Sequence, residues 1–112
     1  MKVYFKGKSV DIKVNKTNWL GKFLGLMFKS KNTGNLLFDF GYNGKPGIHS
    51  FFVFFNFLAV WLDSDNKVVD YGVVKPFSFL VQPKKLCRRL IEIPVNGKNK
   101  SILRFFVGKH KI

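Results

Sequence analysis

From Ile48 to Leu62 the chain reads IHSFFVFFNFLAVWL, fifteen residues in which only His49, Ser50 and Asn56 are polar. A run of this kind must be covered by something, and its length limits the choices. A helix needs about 20 apolar residues to cross a bilayer. This stretch falls short of that and is rich in Phe and Val, so it reads as paired strands at the centre of a fold. The expected strands are roughly 49–54 and 58–62, joined near Asn56. The turn "DSDN" then leads into "KVVDYGVV", which gives a hairpin.

The flanking sequence supplies further short elements. "KVYFKGKSVDIKV" alternates about Gly7 and reads as two short strands. In "NKTNWLGKFLGLMFKSK", Trp19, Phe23, Leu26 and Met27 recur at helical spacing behind Thr17 or Asn18 as caps, predicting a short amphipathic helix. "NTGN" is a turn and "LLFDF" a strand. Gly41 to Gly47, "GYNGKPG", holds three glycines and a proline and reads as a loop. "KLCRRLIEI" alternates as a strand, with Leu86, Arg88, Leu90 and Glu92 on one side and Cys87, Arg89, Ile91 and Ile93 on the other. "VNGKNKSILRFFVGKHKI" allows one helical turn and a final short strand. The sum is a mainly β (α+β) chain: a small barrel or rolled, mostly antiparallel sheet with one or two short helices. At 112 residues, without an interior linker or repeat, it reads as one domain over 1–112.

Charge separates the ends from the middle. The net charge is +14. Residues 1 to 35 contribute +7, residues 36 to 82 contribute −1, and residues 83 to 112 contribute +8. Such an excess keeps a chain soluble and attracts polyanions, with RNA or DNA the foremost class. The start, "MKVYFKGKSVDIKV", has no apolar signal core, and no transmembrane segment is predicted, so a cytoplasmic setting is expected. A single cysteine, Cys87, excludes an intramolecular disulfide and any multi-cysteine metal site.

Candidate chemistry is sparse. Lys84, Lys85, Arg88, Arg89 and Arg104 form the candidate set for an anion or nucleic acid. Arg88 and Arg89 should face opposite sides of their strand unless a bulge intervenes, which leaves Lys84 with Arg88 as the same-side pair. His49, Ser50, Asp63 and Asp65 are the candidate pocket residues. Asp63 and Asp65 begin like a calcium loop, but a valine stands where such a loop requires glycine. Aspartates in turns commonly cap their own backbone. "GYNGK" lacks the spacing and following helix of a phosphate loop. Cys87 with His49 could pair as nucleophile and base, although a lone strand cysteine is ordinarily a core residue. His49 and His110 each lack a second ligand at metal spacing. No catalytic set, no metal site and no cofactor is predicted.

The order of segments resembles the family called domain of unknown function 192. A Gly-Leu-Met-Phe helix end falls at Gly25 to Phe28 and a Leu-Phe strand at Leu37 and Phe38. An aromatic strand follows at His49 to Phe55, then a Leu-Asp-x-Asp turn at Leu62 to Asp65. An Ile-Glu-Ile-Pro strand at Ile91 to Pro94 precedes Gly97. The resemblance covers about residues 10 to 112. It implies a single, mainly β domain of bacteria and archaea, with no established activity. Bacterial members often follow an export signal, so its absence here implies a cytoplasmic form. Two departures stand out. The family's Pro-[Leu/Ile]-Asp reads Asn56-Phe57-Leu58 here, and its Trp-Met-Lys-Asn-Thr becomes "HSFFV". Both remove polar groups and weigh against catalysis.

Three functional classes follow. The first is a non-catalytic binding module for an anionic partner such as RNA or DNA. The second is a protein-interaction accessory factor, which should expose an apolar patch. The third is a small-molecule binder or enzyme near His49 and the Gly41 to Gly47 loop.

Overall fold

The computed structural model describes residues 1–17, 26, 29–50, 52–78 and 81–108. The alternating start forms the expected hairpin: β1 (Lys2–Phe5) pairs antiparallel with β2 (Lys8–Asp11) from Lys2↔Asp11 to Phe5↔Lys8. Lys6 and Gly7 have φ of 52° and 76°. Two successive left-handed residues make the kind of turn whose twist matches that of the strands.

The main sheet has five strands: β3 (Asn15–Lys16), β4 (Leu36–Gly44), β5 (Phe57–Leu62), β6 (Val68–Val74) and β7 (Cys87–Pro94). Their order is β3-β4-β7-β5-β6. Every pairing is antiparallel except β3 with β4. Of the two expected forms, the small barrel is corrected. The described strands make an open sheet with β3 and β6 at its edges.

This order explains the apolar run. In β5, FLAVWL, every residue is buried, because β5 lies inside the sheet and both faces are covered. Phe57, Ala59 and Trp61 join Leu36, Phe38 and Leu90 on one face, under Val53, Phe55 and Leu26. Leu58, Val60 and Leu62 join Ile91 and Ile93 on the other. Val3 and Ile12 from the hairpin segment, with Leu103 and Phe106 from the C-terminal helix, close that second face.

Three expected elements are corrected. The strand at 49–54 does not form. Ile48 makes one antiparallel bridge to Val81, and the chain then turns at Phe52, whose φ of 59° leaves the extended path. The Gly41 to Gly47 loop begins later, since β4 runs on through Gly44 with irregular pairing after Asp39. Gly41, at φ 75°, takes a backbone angle that a side chain would disfavour. The expected helical turn forms as a 3₁₀ turn (Gly97–Asn99), and helix α1 (Lys100–Val107) follows it in place of the expected strand. Asn96 caps that turn, its Oδ1 accepting from the Asn99 N–H at 3.1 Å. Eight residues are too few for a helix to persist alone. The packing of Leu103 and Phe106, one turn apart, holds α1 on the sheet. The helix expected behind Thr17 or Asn18 lies outside the described residues apart from Leu26, as does His110. No helix among the described residues is long and apolar enough to cross a membrane.

Candidate functional site

Ser50 organises the most unusual part of the surface. It is fully buried, and each of its polar groups is committed. Its hydroxyl donates to the Lys75 carbonyl at 2.5 Å and accepts from the Ser78 N–H at 2.6 Å. Its N–H donates to the Ser78 carbonyl at 3.1 Å. Its own carbonyl accepts from Val53 at 3.1 Å and Phe77 at 2.9 Å. The hydroxyl thus bridges the two ends of the Lys75–Ser78 turn and clamps it against the turn that follows Ser50.

Each clamped turn presents a phenylalanine in a left-handed conformation: Phe52 and Phe77 both have φ 59°. That backbone costs a side-chain-bearing residue roughly 1–2 kcal/mol, and a bulky residue rarely adopts it. Phe52 is 48%, Phe77 50% and neighbouring Phe54 63% exposed. The Phe77 ring meets both others edge to face, with centroids at 6.3 Å to Phe52 and 5.5 Å to Phe54. Burial does not explain the strain, because the rings face solvent. The sequence hides this cluster, since a Phe-rich run has the composition of an interior strand.

The predicted site residues do not converge. His49 and Ser50 sit beside the Lys75 turn, just beyond the Phe57↔Val74 pair. Asp63 and Asp65 sit at the other end of β5. Six strand residues, about 20 Å, separate them, so the four do not line one pocket. Asp63 is a turn cap: its Oδ1 accepts from the Asp65 and Lys67 N–H groups at 2.8 and 2.9 Å.

The basic set divides in the same way. Arg89 is structural. Its Nε donates to Asp39 Oδ2 at 3.1 Å, and its Nη1 reaches the Ser64 carbonyl at 3.1 Å and Asn66 Oδ1 at 3.2 Å. Arg88 also leans on Asp39, its Nε 3.7 Å from Oδ1. The β4–β7 pairing is irregular between Asp39 and Gly44. Cys87 joins Leu90 in the first core while Ile91 and Ile93 join the second, which corrects the expected placing of Cys87 with Ile91 and Ile93: the alternation breaks beside Arg88 and Arg89. Partial burial pushes the Asp39 carboxyl up, but the Gly41 N–H and the Arg89 and Arg88 guanidiniums outweigh it and hold the group below its ordinary value. Lys84 is tied through its N–H to Asp70 Oδ2 at 2.8 Å. Asp70 is on β6 and Asp39 on β4, three strand spacings or roughly 14 Å apart. Lys85 is exposed nearby in the chain. Arg104 is exposed on α1, which packs on the opposite face of the sheet.

Two interior groups complete the inventory. Cys87 is buried, and burial, then the Asp70 charge, push its thiol up to about 11. That disfavours the thiolate a nucleophile requires. Glu92, the acid of the Ile-Glu-Ile-Pro segment, is 5% exposed between Leu36 and Ala59 on the neighbouring strands. Burial pushes its carboxyl up to about 8. Its Oε1 and the Trp61 Nε1 have no hydrogen-bond partner among the described residues. The strand alternation places Glu92 but gives no warning that it would be uncharged.

Among the described residues, an open five-stranded sheet covered by a hairpin and one short helix defines a small, mainly β architecture that resembles two crystal structures. One is a Sinorhizobium meliloti protein provisionally described as a transcription regulator, at TM-score 0.73 and 16% identity, covering 90% of this chain and 81% of that one. The other is a Novosphingobium aromaticivorans protein of unknown function, at TM-score 0.64 and 13% identity, covering 80% of this chain and 66% of that one. No family model matches the sequence. Two curated archaeal relatives do. A UPF0127 protein of Pyrococcus furiosus is 34% identical over 92 residues, 80% of this chain and 78% of that protein. A UPF0127 protein of Thermococcus kodakarensis is 34% identical over 93 residues, 80% of this chain but 59% of that longer protein. The chain belongs to the uncharacterised UPF0127 family.

Proposed function

We propose that this chain is a non-catalytic binding module whose partner is a single-stranded nucleic acid. The observation that carries the reading is the solvent-facing trio Phe52, Phe54 and Phe77 on a chain of net charge +14. Aromatic faces stack bases of any sequence, while surrounding lysines attract the backbone. The strain at Phe52 and Phe77 fits a surface held for contact, because left-handed residues outside glycine cluster at functional sites. Of the basic candidates, Lys84 and Lys85 are exposed, and Arg104 serves the far face; Arg89 is committed internally. The motif order further supports placing the chain with the domain of unknown function 192, and a cytoplasmic setting suits such a partner.

A protein-interaction role is the second reading, favoured by the wholly apolar character of the same trio. A small-molecule site at His49 and the Gly41 to Gly47 loop has less support, since the Ser50 hydroxyl is doubly engaged and Gly41 to Gly44 belong to β4.

The test is fluorescence anisotropy with short oligo-uridine and oligo-thymidine between about 50 and 200 mM salt. Micromolar affinity that falls steeply with salt is expected. Phe54→Ala/Phe77→Ala should weaken it about tenfold or more, given about 1–3 kcal/mol per stacked base. Lys84→Ala/Lys85→Ala should flatten the salt dependence. Absence of binding at the low-salt end, or binding indifferent to the phenylalanine pair, would overturn the reading.

A further inference from the structure

Five of the chain's nine asparagines, Asn15, Asn32, Asn35, Asn96 and Asn99, come together around one cleft of about 550 Å³. Its walls come from three separate segments: the end of β2 through the start of β3, the loop before β4, and the turn that opens α1. Cross-links set the walls before anything binds. Asn35 Nδ2 donates to the Lys13 carbonyl at 3.0 Å, and the Asn15 N–H donates to the Asn35 carbonyl at 2.8 Å. Asn96 Nδ2 donates to the Lys31 carbonyl at 2.5 Å, and Asn99 Nδ2 to the Pro94 carbonyl at 2.8 Å. Gly34 lets the Asn15 amide lie close against the backbone: a Cβ there would stand 2.6 Å from Asn15 Nδ2.

The chemistry of the lining narrows the ligand. Lys13 and Lys98 bring two positive charges, while the carboxylate of Asp11 is engaged by the N-terminal ammonium at 2.9 Å. Asn15, Asn32, Thr33 and Ser101 offer groups that both donate and accept. Asn35 is 7% exposed and serves as a brace of the wall, its amide fixing the Lys13 segment against the loop before β4. Among the described residues, none of those lining the cleft is aromatic. Among the described lining residues, Val10 and Ile102 alone carry apolar side chains, so the described wall is mainly polar. The volume lies within the roughly 300–1,000 Å³ of small-molecule sites.

We infer that this cleft binds a small phosphorylated polyol, with Lys13 and Lys98 holding the phosphate and the amides and hydroxyls reading the hydroxyl groups. The site is independent of the phenylalanine trio, so either assignment can fail alone.

The test is titration of the whole ¹⁵N-labelled chain with ribose 5-phosphate, ribose and inorganic phosphate, each at millimolar concentration. Ribose 5-phosphate should give saturable amide shifts in 13–15, 32–35 and 96–101, and bind at least tenfold more tightly than ribose or phosphate alone. Removing charged hydrogen-bond donors in Lys13→Ala/Lys98→Ala should weaken binding about tenfold or more. Gly34→Ala, which displaces the Asn15 amide, should also weaken it, and Lys29→Ala should not. The spectrum of each free variant reports its fold directly. Absence of saturable shifts with ribose 5-phosphate would overturn the assignment. Equal binding of inorganic phosphate, which would mark a simple anion patch, would overturn it too, as would shifts confined to residues outside the three walls.

Discussion

Glu92 supplies the sharpest prediction. The native carboxyl titrates at about 8 against an ordinary value of 4.5. Between those values the folded chain holds a proton that the unfolded chain has released. Stability from this group is therefore fully present below about 4.5 and is lost as pH rises through about 8. The slope for one proton is about 1.4 kcal/mol per pH unit. Across the window the loss is on the order of 4–5 kcal/mol, a large part of the roughly 5–15 kcal/mol that holds a typical domain together. Glu92→Gln keeps the shape and abolishes the titration. Urea unfolding followed by tryptophan fluorescence, from pH 5 to 9, gives both curves. Relative to Glu92→Gln, the wild-type protein should lose stability steadily from pH 5 to about 8 and level off above that. Subtracting one curve from the other cancels every group the substitution leaves alone. Parallel curves would show that Glu92 is already ionised in the native state and would refute the reasoning.

Three further outcomes are expected. Phe77→Gly relieves a left-handed phenylalanine, at about 1–2 kcal/mol, against about 0.5–1 kcal/mol of added chain entropy. It should raise the thermal midpoint slightly, and a clear fall would mean that the exposed rings are structural. Ser50→Ala strips a partner from both the Lys75 carbonyl and the Ser78 N–H, at a cost of about 1–3 kcal/mol. Hydrogen exchange at Ser78 should accelerate well before the β5 amides respond. Cys87, with its thiol pushed up to about 11 and 1% exposed, should react with a chromogenic thiol reagent at neutral pH only as fast as the chain opens. Rapid labelling of the native protein would contradict that environment.

The elements legible in the sequence are those whose pattern is local. The β5–β6 hairpin follows from an apolar run, the turn at Asp63 to Asn66 and a second β-rich run. β7 follows from its alternation over Leu90 to Ile93, while the irregularity at Cys87 to Arg89, where both arginines reach Asp39, escapes that pattern. The elements that escape depend on partners remote in the chain. Ile48 to Phe55 has strand composition, yet its course is set by Ser50 bonding residues 25 and 28 positions away. Residues 100–107 alternate between apolar and polar too weakly to separate strand from helix, and the packing of Leu103 and Phe106 on the second core decides. The basic candidates are visible one by one, but their spread over the segment before β7, β7 itself and α1, with partners Asp39 on β4 and Asp70 on β6, follows from strand order. No local signal assembles the asparagine cleft, because its three walls lie far apart in sequence.

The strand order also has a consequence for how the chain is made. β5 pairs with β6 through a short turn, but its other neighbour is β7, which ends 32 residues after Leu62. At a synthesis rate of about 5–20 residues per second, the β5–β6 hairpin waits on the order of seconds before β7 exists. During that interval Phe57, Leu58, Val60, Trp61 and Leu62 have one paired edge, and the other edge is open to any extended apolar segment nearby. The strand that becomes the best protected in the finished protein is thus its most vulnerable one on the ribosome. Overproduction should expose that weakness as insoluble material from a chain that is stable once folded.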